Sequence, residues 1–121
     1  MKASFLLPAL LLALFMPAHA TERVSVRVSP TVAFAPASLF VNATVDVNPE
    51  NRALEIIAES ADFYRSSEVA LDGDHAPRIT QFLFKSVPRG SYEVRAVLRG
   101  VSGRELAWTH TMVDVVGQKD F

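Results

Sequence analysis

The chain predicts an all-β sandwich, and three observations carry that expectation. Apolar and polar residues alternate with period two along most of the stretch from Val24 to Val116, the mark of strands with one buried and one solvated face. Turn-forming residues interrupt the alternation at intervals of roughly 10–15 residues, close to the spacing of sandwich strands. The part of the chain with this pattern is about a hundred residues long, enough for one domain with its own core.

The elements follow in order. Val24, Val26 and Val28 alternate with Arg23, Ser25 and Arg27, so the first strand has one apolar face. Pro30 and Pro36 bracket Thr31–Ala35, a short segment suited to an edge strand that bends or switches sheets. Leu39, Val41, Ala43, Val45 and Val47 form the longest regular alternation and predict the second strand. Asn48-Pro49-Glu50-Asn51 is turn chemistry. Arg52–Ser60 is the third strand, with Leu54, Ile56 and Ala58 inward, although Leu54, Ile57, Ala58 and Ala61 also fit a helical stripe.

Phe63–Leu71 reads as the fourth strand and Asp72-Gly73-Asp74 as a turn, with Pro77 delaying the fifth strand to Arg78–Ser86. After Val87-Pro88-Arg89-Gly90, Ser91–Arg99 alternates with Tyr92, Val94, Ala96 and Leu98 on one face. Gly100–Gly103 makes a hairpin loop, and Arg104–Val116 is the last long strand. If the third and sixth strands are antiparallel neighbours, Glu55 pairs with Arg99 and Glu59 with Arg95 on their solvent face.

The first twenty residues are of another kind. Lys2 supplies a positive start, Phe5–Met16 is almost unbroken apolar, Pro17 ends the run, and Ala18-His19-Ala20 puts small residues where a signal peptidase reads. This is the pattern of a helical secretory signal peptide, residues 1–20, cleaved after Ala20. It is short for a membrane span, which needs about 20 apolar residues. No later segment is long enough to span, so no transmembrane segment is expected after cleavage. Residues 21–117 then form the domain and 118–121 a C-terminal tail. The expected location is the periplasm or the outside of the cell.

The segment Phe82-x-Phe84-x-x-Val87-Pro88-x-Gly90-x-Tyr92-x-Val94 resembles the corner between the fifth and sixth strands of fibronectin type III and immunoglobulin-like domains. The resemblance covers about fifteen residues. It implies a single seven-stranded antiparallel sandwich of that kind in a small exported bacterial protein. It also implies that Tyr92 is the tyrosine-corner residue, its hydroxyl bonded to upstream backbone. The chain departs from the pattern in lacking an early-strand tryptophan; its one Trp is Trp108, in the last strand. With no cysteine, a disulfide-bearing antibody-type domain and thiolate chemistry are both excluded.

Chemistry-bearing clusters are few. Asp72-Gly73-Asp74-His75 is the most site-like, but it lacks the further oxygen ligands of a calcium loop, and Asp-Gly-Asp is also an ordinary turn. A transition-metal site would need His75 to meet His110 or further carboxylates. Ser66 or Ser67 with His75 and an aspartate could form a nucleophilic triad, but no Gly-x-Ser-x-Gly elbow presents either serine. Asn42-Ala43-Thr44 fits a glycosylation triplet but falls inside a strand. The terminal Phe121 is shared with outer-membrane barrels, whose eight or more strands of about ten residues exceed this length. The expectations are therefore no catalytic residues, no metal and no cofactor, and a chain that is not an enzyme.

What remains is binding. A formal net charge of −1 gives no footprint for nucleic acid. Alternation puts Phe63 and Arg65 on one face of the fourth strand and Tyr64 on the other, so either one aromatic reaches the surface or both cap the core. Tyr64, Arg65 and Trp108 are the candidate partner-binding residues. The expected function is a non-catalytic binding or accessory module of the bacterial envelope that recognises another protein. The alternative is a sandwich that binds a carbohydrate or small ligand on Tyr64 or Trp108.

Overall fold

Strands form where the sequence alternates, and they stack into two sheets with one core between them. The structure is a computed structural model that describes residues 23–117. The expected signal peptide, Met1–Ala20, and the tail 118–121 lie outside the described residues. The strands are β1 (Val24–Ser29), β2 (Val32–Phe34), β3 (Ala37–Val45), β4 (Ala53–Glu59), β5 (Tyr64–Ala70), β6 (Ile79–Val87), β7 (Gly90–Arg99) and β8 (Glu105–Val116). One sheet has the order β1-β3-β6 and the other β2-β8-β7-β4-β5. All neighbours are antiparallel except β2 and β8, which run parallel. Among the described residues no helix is long and apolar enough to cross a membrane.

The inward rows are those the alternation selects. Val24 and Val28, Leu39 to Val45 by twos, Leu54, Ile56 and Ala58, and Tyr92 to Leu98 by twos are all buried. The helical alternative for Ala53–Ala61 fails because β4 is flanked on both sides, by β5 and β7, and pairs with each over its full length. Seven strands were expected and eight are present among the described residues, because Val32–Phe34 pairs with Asp114–Val116 at the end of β8. Between β1 and β2 the chain crosses from one sheet to the other, as the two bracketing prolines allow. The second strand also ends earlier than its apolar pattern. Val45 lies opposite Val24, the first residue of β1, so Val47 has no partner there and is exposed.

A bulge shapes the corner that follows β6. Leu39 faces Phe84, but Ala37 faces Val87, so β6 holds one extra residue, and Ser86 takes a positive φ of 59°. The bulge lets Phe84 and Val87 both point inward. It also delivers the chain to Pro88, whose carbonyl accepts the Tyr92 hydroxyl hydrogen bond at 2.6 Å. Tyr92 is fully buried, and Phe63 packs edge-on against its ring at 5.7 Å.

At the other end, two loops are tied together. Asn51 is buried, and its Nδ2 donates to the Asp46 carbonyl at 2.9 Å. The Asn51 carbonyl accepts from the Gly73 amide at 3.0 Å, joining the β3–β4 loop to the β5–β6 loop. Gly73 sits at φ 54°, with Pro49 O only 3.1 Å from where a Cβ would stand.

Candidate functional site: the outer face of the five-stranded sheet

The outward residues of β4, β5, β7 and β8 form a flat face on which charges and apolar side chains are sorted into zones. In its centre Arg95 donates to Glu93 (2.8 Å) and bridges to Glu59 on β4 (3.2 Å). On the other side Glu93 Oε2 meets His110 Nδ1 of β8 at 2.7 Å. Farther along, Arg99 pairs with Glu55 at 3.0 Å. Both expected pairs, Glu55 with Arg99 and Glu59 with Arg95, are therefore present. They cross the β4–β7 ladder diagonally, since Glu55 lies directly opposite Val97 and Glu59 opposite Glu93. Ile57 and Val97 face outward between these charged residues, opposite Arg95 and Glu55, and are nevertheless buried.

The hydrogen bond from His110 holds the Glu93 carboxyl below the ordinary carboxylate range. Partial desolvation opposes this, and the Arg95 guanidinium reinforces it. The His110 ring also packs edge-on against Trp108 at 5.5 Å. Glu55, Glu59, Glu68, Glu93 and Asp114 outnumber Arg95 and Arg99 on this face, which makes it acidic overall.

The apolar zone runs along β8 and β2. Trp108 and Met112 are 54% and 59% exposed, and Val32 and Phe34 are 62% and 66% exposed. Alternation on β8 and the parallel pairing with β2 turn all of them outward. The sequence reading picked out Trp108 but missed Met112, Val32 and Phe34. Met112 was readable, because it shares the even-numbered parity of Trp108 and His110. Phe34 became visible only once β2 was seen to join this sheet.

The three candidate partner-binding residues are not brought together. Tyr64 lies on the same outer face, opposite Glu59, and is exposed. It is three strands across and four residues along from Trp108, about 14 Å by about 13 Å from strand spacing and rise. Arg65 points the other way. Its Nη1 donates to the Lys85 carbonyl of β6 at 2.6 Å, closing the seam between the sheets, and its guanidinium lies 4.9 Å from the Phe63 ring centre.

The other clusters stay dispersed. Gly73–His75 is a single 3-10 turn. His75 is 3.7 Å from Asp74, with its side chain open to solvent, and the Asp72 side chain caps nothing. Among the described residues no group of three or more His, Cys, Asp or Glu side chains is placed to hold a metal. Ser66 and Ser67 occupy successive, oppositely facing positions of edge strand β5, outside the turn that carries His75.

No protein-family model matches the sequence, and neither does any curated protein. The solved structures that share the fold include two from different enzymes. A superoxide reductase (neelaredoxin) from Ignicoccus hospitalis superposes with a TM-score of 0.59 at 15% identity, covering 83% of this chain and 86% of that one. A family 76 glycoside hydrolase from a bovine Bacteroides thetaiotaomicron strain gives a TM-score of 0.54 at 16% identity, covering 76% of this chain and 20% of that one. The first of these overturns the expectation that the chain is not an enzyme. That expectation rested on small sandwiches acting by binding, and here a sandwich matched over most of its length is the body of an enzyme.

Proposed function

We propose that the chain is an exported immunoglobulin- or fibronectin-III-like binding module of a bacterial envelope, working in the periplasm or outside the cell. Its partner is a protein whose surface is basic and carries apolar side chains. The secretory pattern of residues 1–20 supports export. The assignment within sandwiches is supported by the hydrogen bond from Tyr92 to Pro88 O and by the strand order. The fourth long strand, β5, extends the sheet of β4, β7 and β8, as the added strands do in variable-type sandwiches.

The observation that carries the protein-binding reading is the sorted face itself. Exposed Trp108, Met112, Val32 and Phe34 lie beside an acid-rich, hydrogen-bonded network. Protein interfaces combine an apolar centre with charged surroundings in this way, and tryptophan is prominent among residues that dominate their energetics. The acidic zone steers a basic partner, so association slows as salt rises.

The test is capture from envelope extracts on immobilised protein, comparing the native chain with Trp108→Ala and with Met112→Ser. A specific protein retained by the native chain and reduced about tenfold or more by Trp108→Ala supports the reading. Equal retention by all three overturns it. Glycan-array binding that disappears with Trp108→Ala or Tyr64→Ala would favour the carbohydrate alternative instead. The separation of those two rings means that each would act alone.

A further inference from the structure

The opposite side of the sandwich also exposes apolar side chains, Phe40, Ile79 and Leu83, but its charge is different. The outer face of the three-stranded sheet presents Ser25, Arg27 and Ser29 from β1, Phe40, Asn42 and Thr44 from β3, and Ile79, Gln81 and Leu83 from β6. Its charged residues are Arg27 and Lys85, with no carboxylate among the outward positions of the three strands. A groove of about 480 Å³ opens here, lined by Ser25, Val26, Arg27, Asn42, Thr44 and Ile79. That volume lies within the range of small-molecule sites, roughly 300–1,000 Å³.

The register makes a polar row that starts in the groove and continues to Gln81 beside it. Arg27 faces Asn42, and Asn42 faces Gln81. Gln81 Nε2 donates to Asn42 Oδ1 at 3.1 Å, which fixes the Asn42 amide. The Nδ2 hydrogens of Asn42 and the Oε1 of Gln81 then remain for another partner, since no hydrogen bond among the described residues uses them. Arg27 likewise makes no ion pair among the described residues.

We propose that this groove binds an acidic saccharide, with the Arg27 guanidinium taking its carboxylate and Ser25, Asn42, Thr44 and Gln81 its hydroxyls. The lining selects that class. Hydroxyls both donate and accept, and they are matched by amide and hydroxyl side chains that do the same. The planar guanidinium pairs a carboxylate through two parallel hydrogen bonds. Ile79, exposed at the edge of the groove, offers apolar surface to the C–H face of a sugar ring. A groove without carboxylates does not hold a cation, and a single guanidinium lacks the several phosphate contacts that nucleic acid needs. The site lies on the sheet opposite the acidic face, and the inference does not depend on the protein partner proposed there.

The experiment is a titration of the 15N-labelled protein, followed by NMR, with trigalacturonate as probe and with maltotriose and acetate as comparators. The expected result is saturable shifts centred on Ser25, Arg27, Asn42, Thr44 and Gln81, with both comparators at least tenfold weaker. Arg27→Ala, and Arg27→Lys, which keeps the charge but loses the fork, should each weaken trigalacturonate binding about tenfold or more. Arg27 is exposed, so a dispersed spectrum in both variants shows that the fold is kept. Ser66→Ala, on the remote edge strand β5, should leave the titration unchanged. Absence of shifts, shifts centred on another surface, acetate binding as tightly as trigalacturonate, or full affinity in both Arg27 variants would each overturn the proposal.

Discussion

At the scale of single residues, two side chains show how local chemistry is used. Tyr92 is buried with its hydroxyl on the Pro88 carbonyl in a part-buried bond, so Tyr92→Phe leaves that carbonyl without its donor. The expected cost is about 1–3 kcal/mol in chemical denaturation, with a lowered thermal midpoint; an unchanged midpoint would contradict the role given to that bond. Glu93 is the second case. Its carboxyl is held below the ordinary range, first by His110, so the folded state binds that proton less readily than the unfolded chain does. Its stabilising contribution is present above the ordinary glutamate range and is lost as pH falls through the lowered folded value. His110→Ala should move the Glu93 titration, followed by side-chain carboxyl NMR, back up toward the ordinary range. A Glu93 titration unmoved by that change would mean that the hydrogen bond does not set it.

At the scale of elements, what was legible in the sequence was what two-residue periodicity encodes. The inward rows of β1, β3, β4 and β7 follow from alternation alone. The Glu55–Arg99 and Glu59–Arg95 pairs follow once β4 and β7 are taken as antiparallel neighbours. Both pairs are partly exposed, so a double-mutant cycle on Glu55 and Arg99 should give a few tenths of a kcal/mol, up to about 1. A coupling of zero would mean that the pair orders nothing. Features that depend on distant chain were not legible. The three residues of β2 pair with β8 some eighty positions away, which no local pattern reports. Arg65 looked like a surface residue, but its reach to Lys85 O depends on where the two sheet edges meet. The bulge at Ser86 was hidden for a related reason, because serine carries no signature of a positive φ. Replacing Ser86 with glycine should hold or raise the thermal midpoint. Ser86→Val should cost about 1–3 kcal/mol; equal stability of the two variants would contradict the bulge.

At the scale of the whole molecule, the described residues form a two-sheet sandwich whose outer faces differ in charge. The five-stranded sheet presents an acid-rich network bordered by exposed apolar side chains, and the three-stranded sheet presents a polar groove without carboxylates. The likeness to a superoxide reductase and to a fifth of a glycoside hydrolase chain places the architecture among folds that serve unrelated chemistries, so function has to be argued from the faces. The face of the five-stranded sheet carries the central claim. Its most direct test is site-specific photo-crosslinking in intact envelopes from position 108, with position 66 on the remote edge strand as the control. The expected result is one discrete protein adduct from position 108, diminished by high salt and absent from position 66. No adduct at position 108, or the same adducts from both positions, would contradict the assignment of this face as the partner-binding surface.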